Sequence, residues 1–270
     1  MLDAEAVDTD ARGGRTERFD IRFPARERVI SQDEEWCEVG LNGAARRIRF
    51  HDYADIYAIP GLYEQLFYDE LQCRSPKTVA TLLGEELSRA GATAEQLTIL
   101  DVGAGNGMVG EELANLGAGS VVGVDIIEEA ALAAERDRPE VYDDYFVVDL
   151  TAIPDDVRAK LEARRFNCLT SVAALGFGDI PPLAFAEAYN LIADGGWVAF
   201  TIKEDFLSER DGTGFSRLIR RMLDEGTLEL RGKRRYRHRL SVTREPLHYV
   251  AMVARKQQSV PLDWPEAAGV

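Results

Sequence analysis

The chain has 270 residues, 46% of them apolar, which is enough for a core of ordinary size in one large domain or a domain with an appendage. With 47 Asp and Glu against 32 Lys and Arg, its net charge of −15 repels a phosphate backbone, so nucleic acid is not an expected partner. Cys37, Cys73 and Cys168 form no C-x-x-C pair, against a zinc site or disulfide framework, and no apolar run approaches the roughly 18 residues of a membrane span; a cytoplasmic protein away from membranes is expected.

Residues 1–18 are charged and small with little to bury, and their composition predicts a disordered tail. In the stretch from Trp36 to Phe50, Asn42-Gly43 separates two strand-like runs, the favoured chemistry of a tight hairpin turn. The aromatic segment from Asp52 to Leu71 reads as helical with a break at Pro60-Gly61. The next helix has Ser75 as N-cap, Pro76 at its first position and Gly91 as its stop. Residues 19–94 are thus an N-terminal hairpin and helical cap.

From residue 95 the pattern changes to alternation. Strands are predicted at 98–102, 120–125, 144–148, 166–171 and 195–202, and helices near 107–116, 127–136, 155–163 and 182–192. A helix near 213–224 precedes two strands that flank the turn-like "TREP". The fold class is therefore α/β: a doubly wound, mostly parallel seven-stranded sheet with a C-terminal antiparallel hairpin, over residues 95–256, followed by a tail at 257–270.

The loop after the first of these strands packs Gly103, Gly105 and Gly107 into five positions. Gly105 to Gly110 matches G-x-G-x-x-G, and Asp125 follows at the distance of a dinucleotide site. Asp101 opposes that reading, because a carboxylate at the strand end repels a pyrophosphate seated on the helix N-terminus. A cofactor that carries positive charge suits it, and S-adenosylmethionine carries an ammonium and a sulfonium.

Asp101-Val102-Gly103-Ala104-Gly105-Asn106-Gly107 resembles the D/E-x-G-x-G-x-G motif of class I S-adenosylmethionine-dependent methyltransferases. The resemblance spans roughly residues 95 to 255. It implies that Asp101, Gly103, Ala104, Gly105 and Gly107 cradle the cofactor and that Asp125 takes the ribose hydroxyls. It further implies that Asp149 meets the adenine amino group, with Ile126 or Leu150 packed on the ring. The terminal antiparallel hairpin is a trait of the same family. Two other readings remain: a cofactor-binding scaffold without catalysis, and a nicotinamide-dependent reductase.

For the acceptor, the (N/D/S)-P-P-(Y/F) signature of enzymes that methylate base or amide nitrogens is absent after the fourth strand, where Leu169-Thr170-Ser171-Val172 stands. A small molecule accepting at oxygen or nitrogen is expected instead, and a homodimer is a candidate assembly. Ser171, Lys203, Tyr53 and Tyr57 are the residues expected around the transferred methyl. Tyr53 and Tyr57, four apart, share one helical face, as either a lid over the cofactor or a docking surface. His51, beside that helix, is the first candidate for a general base, with His238 and His248 as structural histidines on the hairpin. Gly176 to Asp179 forms a turn or a pocket floor. The cations Lys233, Arg235, Arg237 and Arg239 alternate on one strand and read as a solvated edge.

Overall fold

The computed structural model describes residues 18–25, 27, 30–176, 179–207 and 214–266, so the expectations for residues 1–17, for Phe177 and Gly178 and for residues 267–270 lie outside the described residues. Strands β1 (Ile21–Arg22), β2 (Trp36–Leu41) and β3 (Ala44–Arg49) form an antiparallel sheet in that order. The β2–β3 turn has Asn42 and Gly43 both at positive φ, as a hairpin that follows strand twist requires. The aromatic segment breaks at Pro60-Gly61 as expected, into α1 (Tyr53–Tyr57) and α2 (Leu62–Glu64), the latter running into a wide turn at Gln65–Glu70. Phe50, Ile56, Leu62, Leu66 and Phe67 close a small apolar core between this sheet and these helices.

Helix α3 (Ser75–Arg89) starts one residue earlier than expected, with Arg74 at the N-cap. Ser75 is not the cap: its Oγ is occupied with Tyr236 Oη and His238 Nδ1, each at 2.6 Å. The main sheet then builds from β4 (Thr98–Val102), α4 (Met108–Asn115), β5 (Ser120–Asp125), α5 (Glu128–Asp137) and β6 (Asp144–Val147). It continues through α6 (Asp155–Ala163), β7 (Cys168–Leu175), α7 (Pro182–Asn190) and β8 (Trp197–Lys203). Helix α8 (Phe215–Asp224) leads to the antiparallel pair β9 (Leu228–Leu240) and β10 (Pro246–Lys256). The strand order is β6-β5-β4-β7-β8-β10-β9, parallel through β8. Its order reverses between β4 and β7, which opens a crevice at the carboxyl ends of those strands.

The two faces are covered by different helices. Leu82, Leu83 and Leu87 of α3 and Leu113 of α4 pack on one; Phe185 of α7 and Leu218 and Met222 of α8 pack on the other. Beyond β10, short helix α9 (Asp263–Glu266) is docked on the core: Val260 is buried, and the Arg221 guanidinium lies 4.1 Å from the Trp264 ring centre. No helix among the described residues is long and apolar enough to cross a membrane.

The expected solvated stripe on β9 is only partly solvated. Lys233 and Arg235 are exposed, but Arg239 is buried. The register with β10 shifts between Leu247 and His248, which pair Arg239 and Arg237, so His238 is an extra residue on its strand. Such a bulge breaks the two-residue alternation and re-aims the side chain that follows. Arg239 therefore turns inward, where Nη2 donates to Glu35 Oε2 at 2.5 Å; Glu35 Oε1 accepts the Val242 amide at 2.7 Å. This pair ties the N-terminal sheet to the terminal hairpin. Removing one member strands a buried charge, so Glu35→Ala lowers the free energy of unfolding by roughly 3–5 kcal/mol, measured by urea denaturation.

Candidate functional site

The part of the site contributed by the parallel strands sits at their carboxyl ends. After β4 the chain turns through Gly103 (φ 71°) and Gly105 (φ 55°), left-handed values that disfavour any side chain. Space forbids one as well: a Cβ on Gly103 would lie 2.8 Å from Ala174 Cβ, and one on Gly105 would run into the Tyr57 hydroxyl. The loop is pinned from below and from the side. Gly105 N–H donates to Asp125 Oδ2 at 2.9 Å, and Ile127 N–H donates to Asp125 Oδ1 at 3.1 Å. Tyr145 Oη donates to the Gly105 carbonyl at 2.9 Å.

Asp101 lies underneath, buried. Thr170 Oγ1 donates to its Oδ1 at 2.6 Å and Tyr142 Oη donates to its Oδ2 at 2.8 Å. Burial pushes its pKa up to about 6, against the pull of those two hydroxyls and with help from the nearby Asp125 charge. Burial likewise raises Asp125.

Over the loop stand the cap aromatics. Tyr53, Tyr57 and Tyr63 form a ladder with ring centres 6.1 and 5.0 Å apart. Tyr57 also packs on Ala130 and Ala133 of α5, so it both docks the cap and walls a cavity. Glu64 of α2 fastens the cap to the loop, accepting from Asn106 Nδ2 at 2.6 Å and from the buried Arg138 Nη1 at 2.7 Å.

Between cap and strand ends lies a cavity of about 240 Å³, continuous in its lining with a smaller one of about 70 Å³. Of the expected site residues, Tyr53, Tyr57, His51, Gly103, Asp125, Ile126, Asp149 and Leu150 line the larger, and Ala104 and Gly105 line the smaller. Ile126 is 60% exposed at the mouth, an apolar side chain available to a flat ring. Asp149 accepts from the amide and the hydroxyl of Thr151, which fixes its carboxylate at the strand end.

Four expected residues are placed elsewhere. Asp101 is beneath the loop and Gly107 caps α4, and neither lines a cavity. Lys203 pairs with Asp205 at 3.1 Å away from both cavities. Ser171 is fully buried and off the cavity wall, its Oγ without a hydrogen-bond partner among the described atoms. The reason is a bulge: pairing of β7 with β8 skips from Ser171 to Leu175, and Ala173 adopts φ 58° with its N–H on Thr201 Oγ1 at 2.7 Å. Val172, Ala173 and Ala174 face the cavity in place of Ser171.

The structure also makes a pairing that no sequence period signals. His51 Nδ1 and Asp179 Oδ1, 128 residues apart, lie 3.0 Å from each other at 19% and 26% side-chain exposure, and both line both cavities.

Residues 76–245, more than half of the chain, match a known family model described as a methyltransferase domain. The chain belongs to that family. It is a class I enzyme that uses S-adenosylmethionine, and the nicotinamide-dependent and non-catalytic readings are set aside. Among solved structures, an N-methyltransferase from Bradyrhizobium japonicum with bound S-adenosylhomocysteine shares the fold. It matches at TM-score 0.51 and 15% identity, over 77% of this chain and 97% of that one.

Curated relatives include a mitochondrial ubiquinone biosynthesis O-methyltransferase from Candida albicans, 33% identical over 42% of this methyltransferase and 34% of the relative. Another is a ubiquinone biosynthesis O-methyltransferase from Burkholderia ambifaria, 31% identical over 47% and 54%. The matched region thus spans about half or less of the length of these curated relatives.

The raised pKa of Asp101 has a consequence for stability. Between 3.8 and about 6 the folded protein holds a proton that the unfolded chain has lost, so stability falls as pH rises across that window. An Asp101→Asn variant lacks this loss, and wild type declines relative to it by roughly 3 kcal/mol from the low end to the high end. Urea denaturation of both proteins at the two ends checks the difference.

Proposed function

We propose that this methyltransferase methylates a small molecule at a hydroxyl group, with His51 as the general base and Asp179 as the residue that orients it. The observation that carries the reading is the His51–Asp179 pair at the junction of the two cavities. S-adenosylmethionine, when bound, supplies the activated methyl group. A hydroxyl must shed its proton to become a good nucleophile, whereas a neutral amine already offers its lone pair, so a carboxylate-oriented histidine suits oxygen better than nitrogen. With the Nδ1 proton directed at Asp179, Nε2 is the basic nitrogen and takes the acceptor's proton.

On the cofactor side the residues present fit the group. The carboxylate of Asp125 at the cavity wall suits ribose hydroxyls, the exposed Ile126 and buried Leu150 suit an adenine face, and Asp149 suits its amino group. Gly103, Ala104 and Gly105 give the close backbone approach that the methionine portion needs, and Tyr53 and Tyr57 close over it. The names of the curated relatives support oxygen as the acceptor atom, and the aromatic, enclosed space between cap and strand ends supports a small acceptor over a macromolecule.

Two measurements test the assignment. Asp125→Ala weakens S-adenosylmethionine and S-adenosylhomocysteine binding by about tenfold or more in calorimetry, because a charged, doubly bonded acceptor is lost; unchanged affinity sinks the ribose role. His51→Gln lowers kcat by roughly 10²–10⁴ with cofactor affinity intact, and Asp179→Asn follows in the same direction. Equal kcat in wild type and His51→Gln assigns catalysis to proximity alone.

A further inference from the structure

One wall of the smaller cavity comes from neither the strand ends nor the aromatic ladder. It is made by Gln32, from the segment before β2, and by Tyr249, His238 and Arg239 of the terminal hairpin. Gln32 Nε2 donates to Tyr249 Oη at 2.8 Å. Tyr249 is itself held flat against His238, ring centres 4.1 Å apart, and His238 Nδ1 is held by Ser75 Oγ at 2.6 Å. The other end of the Gln32 amide has nothing: Oε1 is buried and has no hydrogen-bond partner among the described atoms. A buried carbonyl oxygen without a donor is costly, and a ligand that brings a donor removes the cost.

The charge of this wall restricts the ligand further. Arg239 is the one Lys or Arg among the described residues that line the cavity, and its charge is already matched by Glu35, with Nη1 on the Leu240 carbonyl at 2.8 Å. Burial keeps His238 well below the usual histidine range, hence neutral. Asp179 stands on the same cavity as an acid. A carboxylate entering here would meet the Asp179 acid and no unmatched Lys or Arg. The remaining lining is dominated by rings, Tyr53, Tyr57, Tyr63, Phe67 and Tyr68, which favour a flat guest.

We propose that Gln32 and Tyr249 form a specificity subsite for a neutral hydrogen-bond donor. The preferred acceptor is then an uncharged aromatic compound that carries a second hydroxyl besides the one methylated. This rests on the small-molecule O-methylation reading above. A methyl ether at the second position would set oxygen against oxygen and leave the carbonyl unpaired, and sites built around a hydrogen bond reject such analogues more strongly than apolar pockets do.

The test uses the full chain with labelled S-adenosylmethionine. The compounds are the three dihydroxybenzenes, their monomethyl ethers and a dihydroxybenzoate. At least one dihydroxybenzene exceeds its ether in kcat/KM by about tenfold or more beyond the advantage of two equivalent hydroxyls, and the benzoate is poorer. Gln32→Leu abolishes that ratio while S-adenosylhomocysteine affinity, which reports an intact fold, is unchanged. Tyr249→Phe, which removes the hydroxyl that anchors the amide, lowers the same ratio and serves if the first variant does not fold. Turnover of ethers and diols alike, a preference for the benzoate, or a ratio that survives Gln32→Leu overturns the subsite alone. Turnover of none of these compounds, with S-adenosylhomocysteine bound, overturns the hydroxyl-acceptor reading and the subsite with it.

Discussion

The Asp125 carboxylate holds the ends of two adjacent strands in place, because its two oxygens accept amides from opposite sides, Gly105 from the loop after β4 and Ile127 from the start of α5. Without an acceptor at that height, the loop amide would point at an apolar sheet edge. With it, the glycine turn folds back over β5, and the same carboxylate remains at the cavity wall. Loop geometry and ligand chemistry thus rest on one side chain. Asp101 complements it from below: a second acid, deeper and better shielded, whose hydroxyl partners Thr170 and Tyr142 come from β7 and the segment before β6. Burial and the nearby Asp125 charge raise Asp101, and the fold accepts the cost in exchange for a negative field under the glycine loop, where the proposed reading seats a cationic cofactor.

The acceptor side is organised differently. Its walls come partly from the cap and the end of the terminal hairpin, and these are fastened to their neighbours by charge pairs as well as by apolar packing. Glu35–Arg239 joins the first sheet to the last hairpin, and Glu64–Arg138 joins α2 to the glycine loop through Asn106. A buried pair such as Glu35–Arg239 contributes little net stability, but it penalises any misplacement of either partner. That is the property a small cavity needs, since an error of about 1 Å there displaces a reacting group from its line of attack.

What could be read from the sequence follows from this division. Strands 98–102 and 120–125 matched to the residue, because buried parallel strands are continuous apolar runs and glycine punctuates their ends. The hairpin turn at Asn42-Gly43 and the break at Pro60-Gly61 were legible for the same local reason, a backbone demand that few residues meet. Arg239 defeated the reading because it was placed by counting alternate positions along a strand, and the extra residue before it shifts the count. Ser171 defeated it because it was placed by its position at the end of the fourth strand, and the bulge that follows brings Val172 to Ala174 to the cavity instead. His51 was visible as a histidine beside an aromatic helix. Its partner was not, because nothing local links it to a turn 128 residues away.

The two bulges share a physical logic. A regular strand must point every second side chain at the same face, so a sheet edge can offer a ligand only alternate residues. On β7 the irregularity presents three consecutive small residues, Val172 to Ala174, and puts Ala173 at φ 58°, a strain of roughly 1–2 kcal/mol for a residue with a Cβ. The Thr201 hydroxyl offsets part of this by accepting the amide that the neighbouring strand no longer pairs. On β9 the extra residue sends His238 and Arg239 inward together, one to hold Tyr249 and the other to hold Glu35. Regular pairing would leave one of them in solvent and the wall incomplete. These two departures from alternation lie where cap and sheet enclose the smaller cavity. A third, between Val253 and Ala254, lies at the far end of the hairpin, and the strands β4 and β5 beside the glycine loop stay regular.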